Sequence, residues 1–124
     1  MTEPISLTTA LASFSDRWSP RIVTRVNDHD IRVAKVRGEH IWHTHDDADE
    51  FFLVLDGELT IALRDRTVEL RRGDVFTVPR GVEHKPSSEG GASILMVEPT
   101  GTLTVGDRHE DVPDHIDATI GHAL

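Results

Sequence analysis

Four residues of this 124-residue chain stand out for the chemistry they could do together: His43, His45, Glu50 and His84. His43 and His45 lie two apart in a segment, Ile41 to His45, that reads as a strand. Side chains at i and i+2 of a strand share a face, about 7 Å apart at the backbone, so both imidazoles can converge on one cation. The loop Asp46-Asp47-Ala48-Asp49 has a hairpin's length and returns a carboxylate, Glu50, at the head of the next strand. His84 opens another strand after the turn Pro79-Arg80-Gly81. Three neutral imidazoles and a carboxylate suit one divalent first-row metal (iron, manganese, nickel, copper or zinc) at roughly 2.0–2.2 Å. A six-coordinate ion would keep two positions for water or substrate. The chain has no cysteine, which removes sulfur-based zinc sites, thiolate nucleophiles and disulfide frameworks.

The elements that must position these groups are mostly short strands. Leu7, Ala10, Leu11 and Phe14 recur at helical spacing behind Ser6, predicting a short helix within an N-terminal arm, residues 1–20, that Pro20 closes. From Arg21 the pattern changes to apolar or alternating runs: Arg21 to Val26, Ile31 to Arg37, Ile41 to His45 and Glu50 to Asp56. Thr60 to Leu63, Thr67 to Arg71, Val75 to Val78 and Ala92 to Glu98 follow, with breaks expected at Gly57 and at the flexible stretch Ser87 to Gly91. Strands at short spacing without long intervening helices predict an all-β sandwich or barrel over residues 21–100. Residues 101–124 form an acidic tail, expected to be loosely ordered or draped over the barrel.

Composition narrows the partners. Thirteen basic against 22 acidic residues leave a net charge of −9, a surface that repels phosphate backbones and anionic lipid. The longest apolar run, Phe51 to Leu55, is too short to span a bilayer, and no basic segment leads into an apolar core at the amino terminus. The expectation is a soluble cytoplasmic domain that binds a small molecule, with no nucleic-acid or membrane partner.

Written out, the spacing runs Gly38-x4-His43-x-His45-x4-Glu50-x6-Gly57, then Gly73-x5-Pro79-x-Gly81-x2-His84. It resembles the two signature motifs of the cupin superfamily, with two departures. The first glycine stands one residue closer to the first histidine, and Ser88 stands where the second motif closes on asparagine. The resemblance implies a double-stranded β-helix, or jelly-roll barrel, with His43, His45, Glu50 and His84 as ligands of one metal inside it. It also implies a homodimer as the default assembly. One barrel of this kind hosts many activities, so the fold does not name the substrate.

The remaining residues are weighed individually. Lys35 either stays in water while Ala34 and Val36 turn inward, or enters the barrel as an anchor or an acid–base group; Arg80 could reach the barrel mouth; Glu50 could serve as base besides ligand. Trp42, between two ligand histidines, should face outward, while Phe52 and Val54 share parity with Glu50 and are candidate pocket walls. His29 and His40 read as solvent-facing, and His109-Glu110 with His115 fails as a zinc-protease helix because Pro113 interrupts it. The leading functional expectation is a small metalloenzyme of dioxygenase, isomerase or lyase type acting on an oxygen-rich small molecule. The alternative is a non-catalytic metal- or ligand-binding module, or a pathway accessory protein.

Overall fold

A computed structural model describes residues 3–124. One short helix, α1 (Leu7–Ala12), precedes nine strands: β1 (Arg21–Val26), β2 (His29–Glu39), β3 (His43–Thr44), β4 (Glu50–Leu63), β5 (Thr67–Arg71), β6 (Val75–Val78), β7 (His84–Pro99), β8 (Arg108–His109) and β9 (His122–Ala123). Ser6 caps α1 by accepting from the Thr9 N–H at 3.2 Å. The sheet runs β5-β4-β7-β2-β1-β9, with β6 on β4, β3 on β7 and β8 on β3. All these pairings are antiparallel except β1 with β9. The result is the jelly-roll barrel that the family resemblance implied. No helix among the described residues is long and apolar enough to cross a membrane.

Two expected breaks are corrected. Gly57 and Ser87 to Gly91 do not end strands; they lie inside β4 and β7, which run unbroken for 14 and 16 residues. The chain bends there instead, through register shifts between Val54 and Asp56 and between Gly57 and Thr60. Gly57 adopts φ 78° and Gly91 φ 93°. A Cβ on Gly57 would strike the carbonyl of Gly91, so glycine marks a close crossing of two long strands, not a stop. The bends let β4 and β7 serve both walls of the barrel. Inside, Phe52, Val54, Leu59, Ile61, Ile94 and Met96 form the centre of the core.

Residues beyond Pro99 add to that core. Val105 and Ile116 are buried in it, β8 lies along the ligand-bearing β3, and β9 lies along β1. Asp107 donates its N–H to the Thr44 carbonyl at 2.8 Å, and its carboxylate accepts from the Asp46 N–H at 2.7 Å. Gly106, at φ 73°, passes so close to β3 that a Cβ there would press on the Thr44 carbonyl and lie 3.2 Å from the His43 ring.

A chain of charged groups lies under the sheet. On β2, Asp30, Arg32, Ala34 and Val36 are all buried and share one parity. Arg32 is wholly inaccessible. It donates from Nε (3.1 Å) and Nη2 (2.9 Å) to Asp30 Oδ2, and its Nη1 lies 2.6 Å from Glu98 Oε1 and 3.1 Å from the Thr102 carbonyl. Asp30 Oδ1 accepts from Arg25 at 3.0 Å and Thr100 at 2.8 Å. Burial pushes the Asp30 carboxyl up, but the bonds from Thr100, Arg32 and Arg25 outweigh it and hold it below its ordinary value. Its stabilising share is therefore present above pH ~4 and lost as pH falls through the depressed value. Replacing Arg32 with methionine leaves two acids without their buried counter-charge. We expect a loss of about 3–5 kcal/mol at pH 7, read from urea unfolding; a loss below about 1 kcal/mol would mean that the network is not under strain when broken.

Candidate metal centre

The sheet brings the four sequence-predicted donors to one point. His43 on β3 lies opposite His84 on β7 in the pairing register, and Glu50 opens β4 opposite Val78. His45 follows β3, and its carbonyl is fixed by the Gly81 N–H at 2.8 Å, which ties the ligand loop to the turn ahead of His84. One nitrogen or oxygen from each of the four residues falls within 4.8 Å of the others. All four are buried, His84 at 0% exposure and Glu50 at 6%.

Hydrogen bonding decides which ring nitrogens face inward. His43 Nδ1 lies 2.8 Å from the Ile41 carbonyl and His84 Nδ1 lies 3.0 Å from the Val82 carbonyl. A carbonyl only accepts, so each Nδ1 carries the proton and donates, which leaves Nε2 with a lone pair. His84 Nε2 then faces Glu50 Oε1 at 3.1 Å. At that separation a proton or a metal cation is shared between the two groups. His45 Nε2 is buried, 3.6 Å from the same oxygen and beyond hydrogen-bond reach, and has no hydrogen-bond partner among the described residues. This donor set fits a divalent metal: neutral imidazole lone pairs and one carboxylate aimed at a shared centre.

The electrostatics agree. Burial, then the neighbouring His84 and His40 rings, push the His43 imidazole down to about 2, so it is neutral at any pH where the protein works. Burial also opposes charge on His45, but the Glu50 carboxylate beside it wins and raises its pKa. Burial pushes Glu50 up, yet His45 and His84 outweigh it and hold the carboxyl well below the ordinary range.

Two residues missed in the sequence line the same cavity. His40, read as solvent-facing, is corrected: it is 8% exposed, its ring 5.1 Å from Trp18 and 4.7 Å from His43, and burial pushes it down to about 4. Its N–H goes to the Pro86 carbonyl at 2.9 Å, which turns the ring inward at the bend after β2. In the sequence Glu98 reads only as the end of a strand. It shares parity with the buried Ile94 and Met96 on β7, and that alternation was the available signal. Burial and the charge of Glu50 raise the Glu98 carboxyl well above the ordinary range.

Two expected participants stay outside. Lys35 as an interior acid–base group is corrected: its Nζ donates to the Phe14 carbonyl at 2.6 Å and lies 5.2 Å from the Phe14 ring, because Ala34 and Val36 occupy the inward positions of β2. Arg80 is also corrected as a mouth residue: it bonds Asp49 through its N–H (2.9 Å) and Nε (3.2 Å), and its side chain is 64% exposed. Trp42 faces away from the centre beneath the Arg64 guanidinium, 3.7 Å from the ring centroid. Phe52 does line the cavity, whereas Val54 is ordinary core.

The raised pKa of His45 has a measurable sign. Below that value the metal-free protein carries a proton on His45 that a metal must displace, while His43 has none to lose. Metal binding at a pH below that raised value should release a proton from His45, and affinity should weaken as pH falls. Calorimetric titrations in buffers of different ionisation enthalpy read that release; a value of zero would contradict the assignment of His45.

Comparison with known proteins places this arrangement. Residues 29–98 match the Cupin_2 family, the cupin domain. The uncharacterized protein YdbB of Bacillus subtilis (strain 168) is 42% identical over 77 residues, which covers 61% of this chain and 68% of YdbB. The crystal structure of a cupin-2 domain containing protein from Shewanella frigidimarina NCIMB 400 superposes with a TM-score of 0.76 at 40% identity, covering 77% of this chain and 93% of that one. The 3-hydroxyanthranilate 3,4-dioxygenase of Xanthomonas euvesicatoria pv. vesicatoria (strain 85-10) is 33% identical over 58 residues, 44% of this chain but only 33% of that enzyme. With the matched segment running from β2 into β7 and including all four donors, the chain belongs to the Cupin_2 family of cupin domains.

Proposed function

We propose that this protein is a metal-dependent enzyme that acts on a small hydroxylated or keto-bearing molecule, with oxygenase chemistry as the first class to test. The observation that carries the reading is the convergence of four buried donors within 4.8 Å of one another, with the Nε2 of His45 lacking a hydrogen-bond partner among the described residues. His43, His45, Glu50 and His84 would hold one divalent first-row ion. A metal there supplies Lewis acidity towards a substrate oxygen, and a redox-active one also supplies electrons for dioxygen. The partial likeness to a 3-hydroxyanthranilate 3,4-dioxygenase supports the oxygenase class.

The chain's own residues prepare the site in three ways. The Ile41 and Val82 carbonyls hold two imidazoles in the orientation and tautomer that ligation needs. The apolar walls formed by Trp18, Phe52 and Met96 keep the cavity poor in water, which strengthens every charge interaction within it. His40 stays neutral beside them and offers a ring nitrogen without adding a competing positive charge. A second reading, a ligand-binding module without turnover, is favoured by one observation: Lys35 and Arg80 both lie outside the cavity, so no basic side chain of theirs reaches a bound substrate.

The test starts from tag-free protein and elemental analysis. One metal per chain is expected, with His84→Ala and Glu50→Gln each weakening binding by more than about a hundredfold. Unchanged stoichiometry in His84→Ala would refute the ligand set. Oxygen-electrode and isomerisation screens with the identified metal then separate the readings. Saturable turnover of a diol, hydroxy-ketone or phenol supports the enzyme; tight binding across the panel without turnover supports the module.

A further inference from the structure

Four exposed acids stand on the loop after β3 and on the clasp that covers it, and they fall into two pairs. Asp46 lies 2.7 Å from Arg108 and Asp49 3.2 Å from Arg80, so each has its counter-charge. Asp47 and Asp107 have no ion-pair partner among the described residues. Asp107 accepts the Asp46 N–H on Oδ2 only, which leaves Oδ1 to the solvent side. These two acids, and not the arginine-bound pair, line a groove of ≈ 250 Å³ with His45, Thr100 and Thr102. No lysine or arginine lines it.

Acidic grooves are common on surfaces; this one has a donor as its inner wall. His45 is only 5% exposed, its Nε2 has no hydrogen-bond partner among the described residues, and it converges with the other three donors. Of the four, His45 alone lies outside a strand and alone lines the groove. After burial and Glu50, the Asp107 carboxylate is the next influence on the His45 ring, and it favours positive charge there. The opposite approach differs in kind. The cavity on the side of His43 and Glu50 measures ≈ 30 Å³ and is walled by Trp18, Phe52 and Met96. A hydrated divalent ion would shed its water there against apolar side chains that return nothing for it. In the groove, two carboxylates replace the oxygens that the ion gives up.

We propose that this groove loads the metal centre: Asp47 and Asp107 capture a hydrated divalent cation at the surface and pass it inward past the His45 ring. The route rests on the reading that the four donors hold a metal, and it gives a role to two acids that are not ligands. Uncompensated carboxylates at the mouth of a polar groove raise the local cation concentration and the association rate, and salt weakens that effect. Capture falls to two acids of the four because Arg80 and Arg108 neutralise the others.

The experiment uses the full chain, stripped of metal with a chelator, and cobalt(II), whose visible absorption reports its capture by the donors. An equilibrium titration comes first. If the wild-type protein takes up no cobalt or other divalent ion, the metal reading fails and the route falls with it. If cobalt binds, stopped-flow mixing at low ionic strength compares wild type with the double variant Asp47→Asn/Asp107→Asn. Asparagine at 107 keeps an oxygen for the Asp46 N–H. We expect association about tenfold slower, one ion still bound per chain, and a difference below about threefold in 0.5 M salt. Ala48→Trp, which narrows the groove without changing its charge, should slow association and dissociation together by about threefold or more. Asp65→Asn, on the turn between β4 and β5, makes a charge change elsewhere and should stay within about twofold of wild type.

Three results overturn the route while leaving the metal reading intact. The first is a double variant that loads at the wild-type rate. The second is an equal slowing by Asp65→Asn, which would assign the effect to net charge and not to the groove. The third is a double variant that no longer binds one ion per chain, which would make these acids supports or ligands of the centre. Should the double variant fail to fold, Asp47→Asn alone decides, since the Asp47 side chain has no hydrogen-bond partner among the described residues: it must slow loading by about threefold, and an unchanged rate refutes the route.

Discussion

Three imidazoles and a carboxylate drawn to within 4.8 Å of one another inside a β-barrel repel unless something positive sits among them. That condition organises the rest of the molecule. Two backbone carbonyls take the Nδ1 protons of His43 and His84 and so turn their lone pairs inward. The register between β3 and β7 sets those two rings opposite each other, with centroids 4.2 Å apart. The Gly81 N–H fixes His45 from the loop side. Each of these contacts costs the chain conformational freedom, and their common effect is to make one small volume attractive to a cation.

The charge balance beneath the centre follows the same logic. Glu50, Glu98 and Asp30 are all buried, and Arg32 is the single buried guanidinium among the described residues. It is committed to Asp30 and Glu98, which leaves Glu50 to answer to His45 and His84. The acids therefore divide the work. Asp30 stays ionised against arginine, Glu50 stays ionised against the imidazoles, and Glu98, between the two negative neighbours, favours its neutral form. Buried charges of this kind rarely raise stability over an apolar core of the same shape, so their presence here is better explained by the site they surround.

How much of this was legible in the sequence depends on whether the signal was local. The four donors were, because i and i+2 spacing on a strand, a hairpin-length loop and a Pro–Gly turn are all short-range features. The barrel followed from strand spacing together with the family resemblance. Gly57 and Gly91 misled as stops, because a glycine that permits a positive φ in a turn also permits two strands to cross closely, and only the partner strand distinguishes the cases. Glu98 and Arg32 were visible as inward parities but not as a pair, since they meet through the β2–β7 register, 66 positions apart along the chain. His40 was misread because its burial comes from Trp18, a residue of the N-terminal arm held at φ 54° by bonds to Lys35 and Arg37. Nothing within a few residues of His40 announces that cover.

The clasp on β3 bears on the order in which the protein is made. Residues 107–110 bond to Trp42, Thr44 and Asp46 across separations of 61 to 68 residues. As the polypeptide leaves the ribosome, the strand that carries His43 therefore waits, half-paired, until that later stretch emerges. The donors meet in their final geometry only when those bonds have formed, so the site is among the last parts of the barrel to be completed.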